Sequence, residues 1–207
     1  MAFLNEDTNE LHIKILYAGA AGCGKTTNFQ SLYKQTSTEL STRFFDLHSM
    51  AGKSQFFDFL PLTYGKARNH SLRLHLFTLP PHNLWPTVNM NLCLGVDGVV
   101  GVVDSRIPFL ENNERAFSHL NNLLHLANRS FSEIPLVFQY NYRDAPDAVD
   151  VNALKKEYSR HGAGEIEAVA IKDIGVIETL DAIAERVLMA MENDGQMRDE
   201  RQALGLQ

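Results

Sequence analysis

The chain predicts an α/β domain built on a mostly parallel sheet, and three observations carry that prediction. Short apolar runs bounded by turn residues alternate with longer stretches whose apolar residues recur every three or four positions, as strands and crossover helices do. Two of the runs, "VDGVVGVVDS" at 96–105 and "PLVFQYN" at 135–141, are almost continuously apolar. Strands covered on both faces have that composition, which puts this pair at the sheet centre. The third observation is a glycine-rich turn, "GAAGCGKTT" at 19–27, standing between the first long strand and the first helix.

In chain order, "LHIKILYAG" at 11–19 is a strand ending in glycine, and "KTTNFQSLYKQTS" then places Phe29, Leu32 and Tyr33 at helical spacing. "TRFFDLHS" and "SLRLHLFTL" read as two strands, the second strictly alternating, with "FFDFLPL" and "YGKARNH" between them. No helix separates the two, so they are expected to pair antiparallel at a sheet edge. "PFLENNERAFSHLNNLLHLAN", "VDVNALKKEYSRHG" and "GVIETLDAIAERVLMAMEN" carry apolar residues at spacings of three and four and supply covering helices.

The 207 residues, 44% hydrophobic and 21% charged, suit one well-buried domain. Residues 1–192 are assigned to it, and 193–207 to a polar, flexible tail. A formal net charge of −6 gives no reason to expect nucleic acid or anionic lipid as a general partner. Cys23 and Cys93 cannot make a disulfide framework, and "MAFLNEDTNE" has acids where a secretory signal has bases. No apolar run approaches the roughly 18–20 residues that span a bilayer. The expected location is the cytoplasm.

Chemistry enters with Gly19, Gly24, Lys25 and Thr26, which satisfy G-x-x-x-x-G-K-[ST] in the strand-to-helix context that the pattern requires. Backbone N–H groups from Gly19, Ala20, Ala21, Gly22, Cys23, Gly24, Lys25, Thr26 and Thr27 can curl round a phosphate chain at a helix N-terminus. Lys25 reaches the outer phosphates and the Thr26 hydroxyl can ligate magnesium. Cys23 is read as a small side chain filling the loop, and Cys93 as core.

A second motif follows the strand at 135–141. Asn141 and Asp144 have the spacing of the guanine-reading pattern N-K-x-D. A carboxylate there can accept from both the ring N–H and the exocyclic amine of guanine, a paired donor set that adenine lacks. Alone, N-x-x-D is an Asx-rich turn more often than a site; downstream of a phosphate loop, at the end of a buried strand, it gains weight. The eight histidines show no spacing with cysteine or carboxylate that makes a zinc set, so magnesium is the one metal to expect.

With both motifs present, the chain resembles the MglA family of bacterial Ras-like small GTPases over about residues 2–192. The signatures are "CGKTTN", "FFDFLPL", "GVDGVV", "IP" before "QYN", "EAVA" and "IGV", in that order. The resemblance implies a Ras-like P-loop fold with a six-stranded sheet and about five helices, GTP or GDP with Mg2+, and a switch recruited to a cell pole in polarity or gliding motility. It implies as partners an MglB-like roadblock-domain protein and a response-regulator-type polarity protein. It also places Ala170 where a backbone N–H meets the guanine oxygen.

Departures from the family pattern bear on cleavage. An Arg-Thr pair is expected in the first switch, and this chain has Lys53 and Ser54 in "GKSQFFDF". Ser54 keeps a hydroxyl for magnesium, while Lys53 replaces a planar fork with a point charge. The second switch, T-x-P-G-Q in the family, reads "TLPPHN", with Pro81 at the glycine and His82 at the glutamine. Proline has no N–H for a γ-phosphate and fixes φ, so intrinsic hydrolysis is expected to be weak. His82 and Lys53 remain the candidate catalytic residues. In "NYRD", Tyr142 stands where the family's lysine lays its stem along the base, and its ring can stack instead. Three readings stay open: a slow or inactive switch, a GTPase completed by a partner, and a nucleotide-free scaffold. Trp85, after the second switch, is read as core or boundary packing, with a partner anchor as the alternative.

Overall fold

A computed structural model of the chain describes residues 2–36, 45–46, 57–67, 69–80, 86–158, 162–193 and 195. Lys53, Ser54, Pro81, His82 and Trp85 lie outside the described residues, as does the tail beyond 195. Among the described residues, five α-helices, α1 (Lys25–Thr36), α2 (Pro86–Cys93), α3 (Leu110–Leu126), α4 (Val151–Tyr158) and α5 (Val176–Asn193), pack around a sheet. Its described strands are β1 (Phe3–Asn5), β2 (Glu10–Ala18), β3 (Phe45–Asp46), β4 (Asp58–Ala67), β5 (His70–Thr78), β6 (Gly98–Asp104), β7 (Leu136–Asn141) and β8 (Gly164–Glu167).

The sheet order is β3-β4-β5-β2-β6-β7-β8, with β1 also on β2. The run β5-β2-β6-β7-β8 is parallel throughout, as strands joined by crossover helices must be. The sheet has eight described strands where the resemblance implies six, the additions being short β1 and ten-residue β4. β1 pairs antiparallel with the first part of β2, Phe3 opposite His12, while β6 takes the same edge from Ile15 onward.

One expected pairing is corrected. The antiparallel partner of β5 is β4, not "TRFFDLHS", of which Phe45–Asp46 forms the short β3 on the other side of β4. β4 and β5 are sequence neighbours, so a hairpin closes at little entropic cost, whereas the more distant segment would need a longer loop. The strand is masked in the sequence by Pro61, a residue that weakens any strand assignment. Pro61 stands opposite His75 in the β4–β5 ladder, and the described part of β3 pairs only with Asp58 and Phe59.

Alternation in β2 divides the core in two. Ile13, Ile15 and Tyr17 face α1 and α5, packing with Phe29, Leu32, Leu180 and Ile183. Leu16 and Ala18 face the other side with Leu120, Leu124, Phe138 and Leu154. β6 and β7 are buried along their whole lengths, the outcome their continuous apolar composition predicts. The carboxyl ends of β2, β6 and β7 therefore converge on one rim, where open parallel sheets place their ligands.

Candidate phosphate and base site

The turn from β2 into α1 lies against the neighbouring strands so closely that two of its glycines cannot be anything else. A Cβ on Gly19, at φ 153°, would sit 2.2 Å from the Val102 carbonyl oxygen of β6. One on Gly24, at φ 105°, would sit 2.2 Å from Asn141 Nδ2 of β7. Both angles also disfavour any L side chain. Ala21 and Gly22 form the exposed crown of the turn, while Ala20, Cys23 and Gly24 are buried beneath it.

Lys25 opens α1 and is 8% exposed. Its ammonium donates to the Gly19 and Ala20 carbonyl oxygens at 2.8 and 2.9 Å, and stands 3.8 Å from Cys23 Sγ. A buried cation needs such partners. They hold the charge over the same loop whose amides and helix terminus already favour an anion. Cys23 is not an activated thiol: burial pushes its pKa up, outweighing the opposite pull of Lys25.

Thr26 reaches across to the β4–β5 hairpin. Its hydroxyl donates to Asp58 Oδ2 at 2.7 Å, and the Thr78 hydroxyl donates to the same oxygen at 3.2 Å. Thr78 Oγ1 in turn accepts the Asp58 N–H at 2.7 Å. Asp58 and Thr78 are 1% and 4% exposed. A carboxylate and two hydroxyls are hard oxygen donors, the set magnesium selects, so these residues fit that ion. Asp58 is absent from the sequence-based site. Its one signal is an acid at a period-2 position inside the aromatic run "FFDFLPL", where a buried charge demands a partner.

Behind the loop runs a polar bracket that the sequence pattern also leaves unmarked. Asn28 Nδ2 donates to the Gly24 carbonyl at 2.9 Å and to Gln139 Oε1 at 2.8 Å. Gln139 Nε2 returns a bond to Asn28 Oδ1 at 2.8 Å and reaches Thr179 Oγ1 at 2.9 Å. All three side chains are fully buried, tying α1, β7 and α5 to the turn. The signal is a glutamine inside "LVFQYN": a buried amide must be satisfied, and the apolar strand around it cannot do so.

The expected guanine motif is assembled at the end of β7, with its parts in unequal states. Asn141 is a clamp between two loops: its Nδ2 donates to the Cys23 carbonyl at 2.9 Å, and its Oδ1 accepts the Ala170 N–H at 3.0 Å. The Ala170 amide is thereby committed to Asn141. Tyr142, in the left-handed region at φ 62°, lays its hydroxyl on the Gly22 carbonyl at 2.8 Å. Asp144 is exposed and paired with Lys172 at 2.8 Å, a contact that lowers its pKa. Thr27 is half-buried in the first turn of α1. Arg106, not singled out by sequence, stands beside Tyr142 and makes a two-pronged pair with buried Asp104.

A cavity of about 170 Å³ lies beside the loop, between Ala20, Leu79, Pro80 and α3 residues Arg115, Ala116 and His119. A larger one, about 660 Å³, opens at the far end of the sheet between Phe131, Pro135, Arg186 and Met189. Among the described residues, no three His, Cys, Asp or Glu side chains form a cluster that could hold a metal ion by themselves, and no helix is long and apolar enough to cross a membrane.

No protein-family model matches the chain. It is 37% identical over 195 residues to the mutual gliding-motility protein MglA of Myxococcus xanthus (strain DK1622), a match covering 94% of this chain and 100% of that protein. The fold agrees with that match, and the chain belongs to the MglA family of Ras-like small GTPases.

Proposed function

We propose that this chain is a guanine-nucleotide-binding switch that uses magnesium, cleaves GTP slowly by itself, and acts by presenting its switch surface to protein partners. The observation that carries this reading is the pair of consecutive residues Lys25 and Thr26. One holds a buried ammonium over the loop and the other faces a carboxylate from the hairpin between the two switch segments.

In this reading the loop amides and Lys25 bind the phosphate chain, and Thr26 and Asp58 hold magnesium with Ser54 as a third oxygen donor. The ion's chemistry is to neutralise charge that builds on the outer phosphates. Asp144 reads the base, Tyr142 supplies a flat surface for it, and Asn141 keeps the two loops in register. Thr78 joins Asp58 to the strand that leads directly into "LPPHN", so occupancy at Thr26 is relayed to the second switch. Pro81 removes a backbone donor worth about 2.7–4 kcal/mol in comparable oxyanion sites, which favours slow cleavage by His82 and Lys53 alone. The natural partners are an MglB-like roadblock-domain protein and a response-regulator-type polarity protein, in the cytoplasm at a cell pole.

The test begins with nucleotide extracted from freshly purified protein, which should be GDP or GTP. Single-turnover cleavage of preloaded GTP should then rise in the combined variant Lys53→Arg, Pro81→Gly, His82→Gln, and rise less in each single change. A parent as fast as the triple variant would replace the slow switch with a competent GTPase. A second reading, a nucleotide-free scaffold, is favoured by the internal bonds that already engage Tyr142, Asp144 and the Ala170 amide. Absence of heat with GDP and GTP in stripped, folded protein would select it.

A further inference from the structure

We propose that Arg106 is a positioning residue for nucleotide binding, holding the Tyr142 ring as the platform on which the purine stacks. The proposal rests on the nucleotide-binding reading above and assigns a role to a side chain outside both sequence motifs.

Two contacts and a backbone angle fix the ring. Its backbone adopts φ 62°, which turns the side chain back toward the phosphate loop instead of along β7. Its hydroxyl donates to the Gly22 carbonyl at 2.8 Å. Its face lies 3.9 Å from the Arg106 guanidinium carbon, and that same guanidinium lies 4.2 Å from the Phe109 ring centroid. The guanidinium cannot drift, because Nε and Nη2 both donate to Asp104, at 2.9 and 2.7 Å, and Asp104 is buried. Asp104 is anchored in turn: its N–H donates to Asn113 Oδ1 at 3.1 Å, and its carbonyl accepts Asn113 Nδ2 at 2.9 Å.

An ordinary exposed ion pair would not be built this way. Arg106 is 26% exposed and its partner carboxylate 1%, so the pair is tied to the sheet end and its planar face is spent on aromatic rings. Planarity is what the position requires: a fork binds one carboxylate with both prongs and leaves a flat cation to lie on π surfaces, which lysine cannot do. The segment is also stitched to the base loop. The Ser105 N–H donates to the Asn141 carbonyl at 3.1 Å and the Ile107 N–H to the Asp147 carbonyl at 3.1 Å. One face of Tyr142 is covered by Arg106, and its edge is tied to the loop that takes the phosphates. The opposite face is the one offered to a base whose polar edge Asp144 reads.

The experiment uses the full chain, stripped of nucleotide, with magnesium. Affinities for GDP and for inorganic pyrophosphate, which has no base, are measured by calorimetry for the parent, Arg106→Met, Arg106→Lys, Tyr142→Leu and the double variant Arg106→Met/Tyr142→Leu. GDP binding should weaken about tenfold in each single variant, with pyrophosphate binding within about twofold of the parent. The double variant should be no weaker than Tyr142→Leu alone, since both changes remove one platform. A parent that binds GDP while Arg106→Met matches it overturns the role of Arg106. So does an equal loss for GDP and pyrophosphate, which a merely structural role would give. If Arg106→Met fails to fold, Arg106→Lys keeps the charge without the two-pronged geometry and carries the same test. A parent that binds neither probe overturns the nucleotide reading itself.

Discussion

Asn28 and Asp144 stand at opposite ends of one candidate site and are held in opposite ways. Asn28 is fully buried, and its amide is engaged by a backbone carbonyl of the phosphate loop and by Gln139, itself fully buried. Asp144 is 36% exposed by its side chain and is met by a lysine that is 59% exposed. Removing a partner from the first leaves a polar group stranded in a dry interior. Removing one from the second returns a charge to water at little cost. The phosphate end is therefore a fixed part of the fold, while the base end can be altered without threatening it. Under the proposed function, selectivity for the base is the adjustable property.

The sharpest way to break this comparison is Lys25→Ala. Loss of the buried ammonium should weaken GDP binding at least about a hundredfold, measured by calorimetry with magnesium; a loss under tenfold would show that the phosphate end does not carry the affinity. Next in size is Asn28→Ala, which strands the Gln139 amide and should cost about 2–3 kcal/mol of stability. Urea unfolding reads this directly. Adding Gln139→Leu should recover part of the loss, because both partners are then gone; strict additivity would refute the bracket.

At the base end, Lys172→Ala frees Asp144 from a competing partner and should tighten GDP binding by less than about fivefold, the scale of an exposed ion pair. Weaker binding would mean that Lys172 helps hold the base. The smallest effect concerns the thiols. Burial pushes Cys93 up to about 11 and raises Cys23 as well. In the folded state both keep protons that an unfolded chain releases as pH passes the ordinary thiol value. Their contribution to stability is therefore complete below that value and is lost as pH rises above it, for Cys93 as pH climbs toward about 11. At pH 8 neither should react with iodoacetamide until urea unfolds the chain, which mass spectrometry of the intact protein will show.

Much of this architecture is legible in the sequence because it is written locally. β6 and β7 announce themselves by nearly continuous apolar runs, and the phosphate loop by glycines that a close turn cannot replace. Pairing between strands is written less clearly. "FFDFLPL" has phenylalanines suited to a strand core but lies between two runs taken as a pair, yet it opens β4 and delivers Asp58 to Thr26. Gln139, Asn28 and Thr179 are ordinary polar residues one at a time; their meaning appears only when three elements bring them together. Arg106 is likewise one charge after a strand until the fold sets Tyr142 beside it. Asn141, marked by its spacing to Asp144, and Ala170, placed by the family resemblance, are joined by a hydrogen bond, so Asn141 also links two loops.

The 2.2 Å between a would-be Cβ on Gly24 and the Asn141 amide makes these two positions a single hereditary unit. An alanine at Gly24 would push Asn141 off the Cys23 carbonyl and, through it, off Ala170. A smaller residue at 141 would in turn relax the steric demand on Gly24, although its φ of 105° would remain. Lineages drifting away from nucleotide use should thus lose the asparagine first and the glycine afterwards. Descendants that keep Asn141 while replacing Gly24 should be rare, whatever else in their switches has changed.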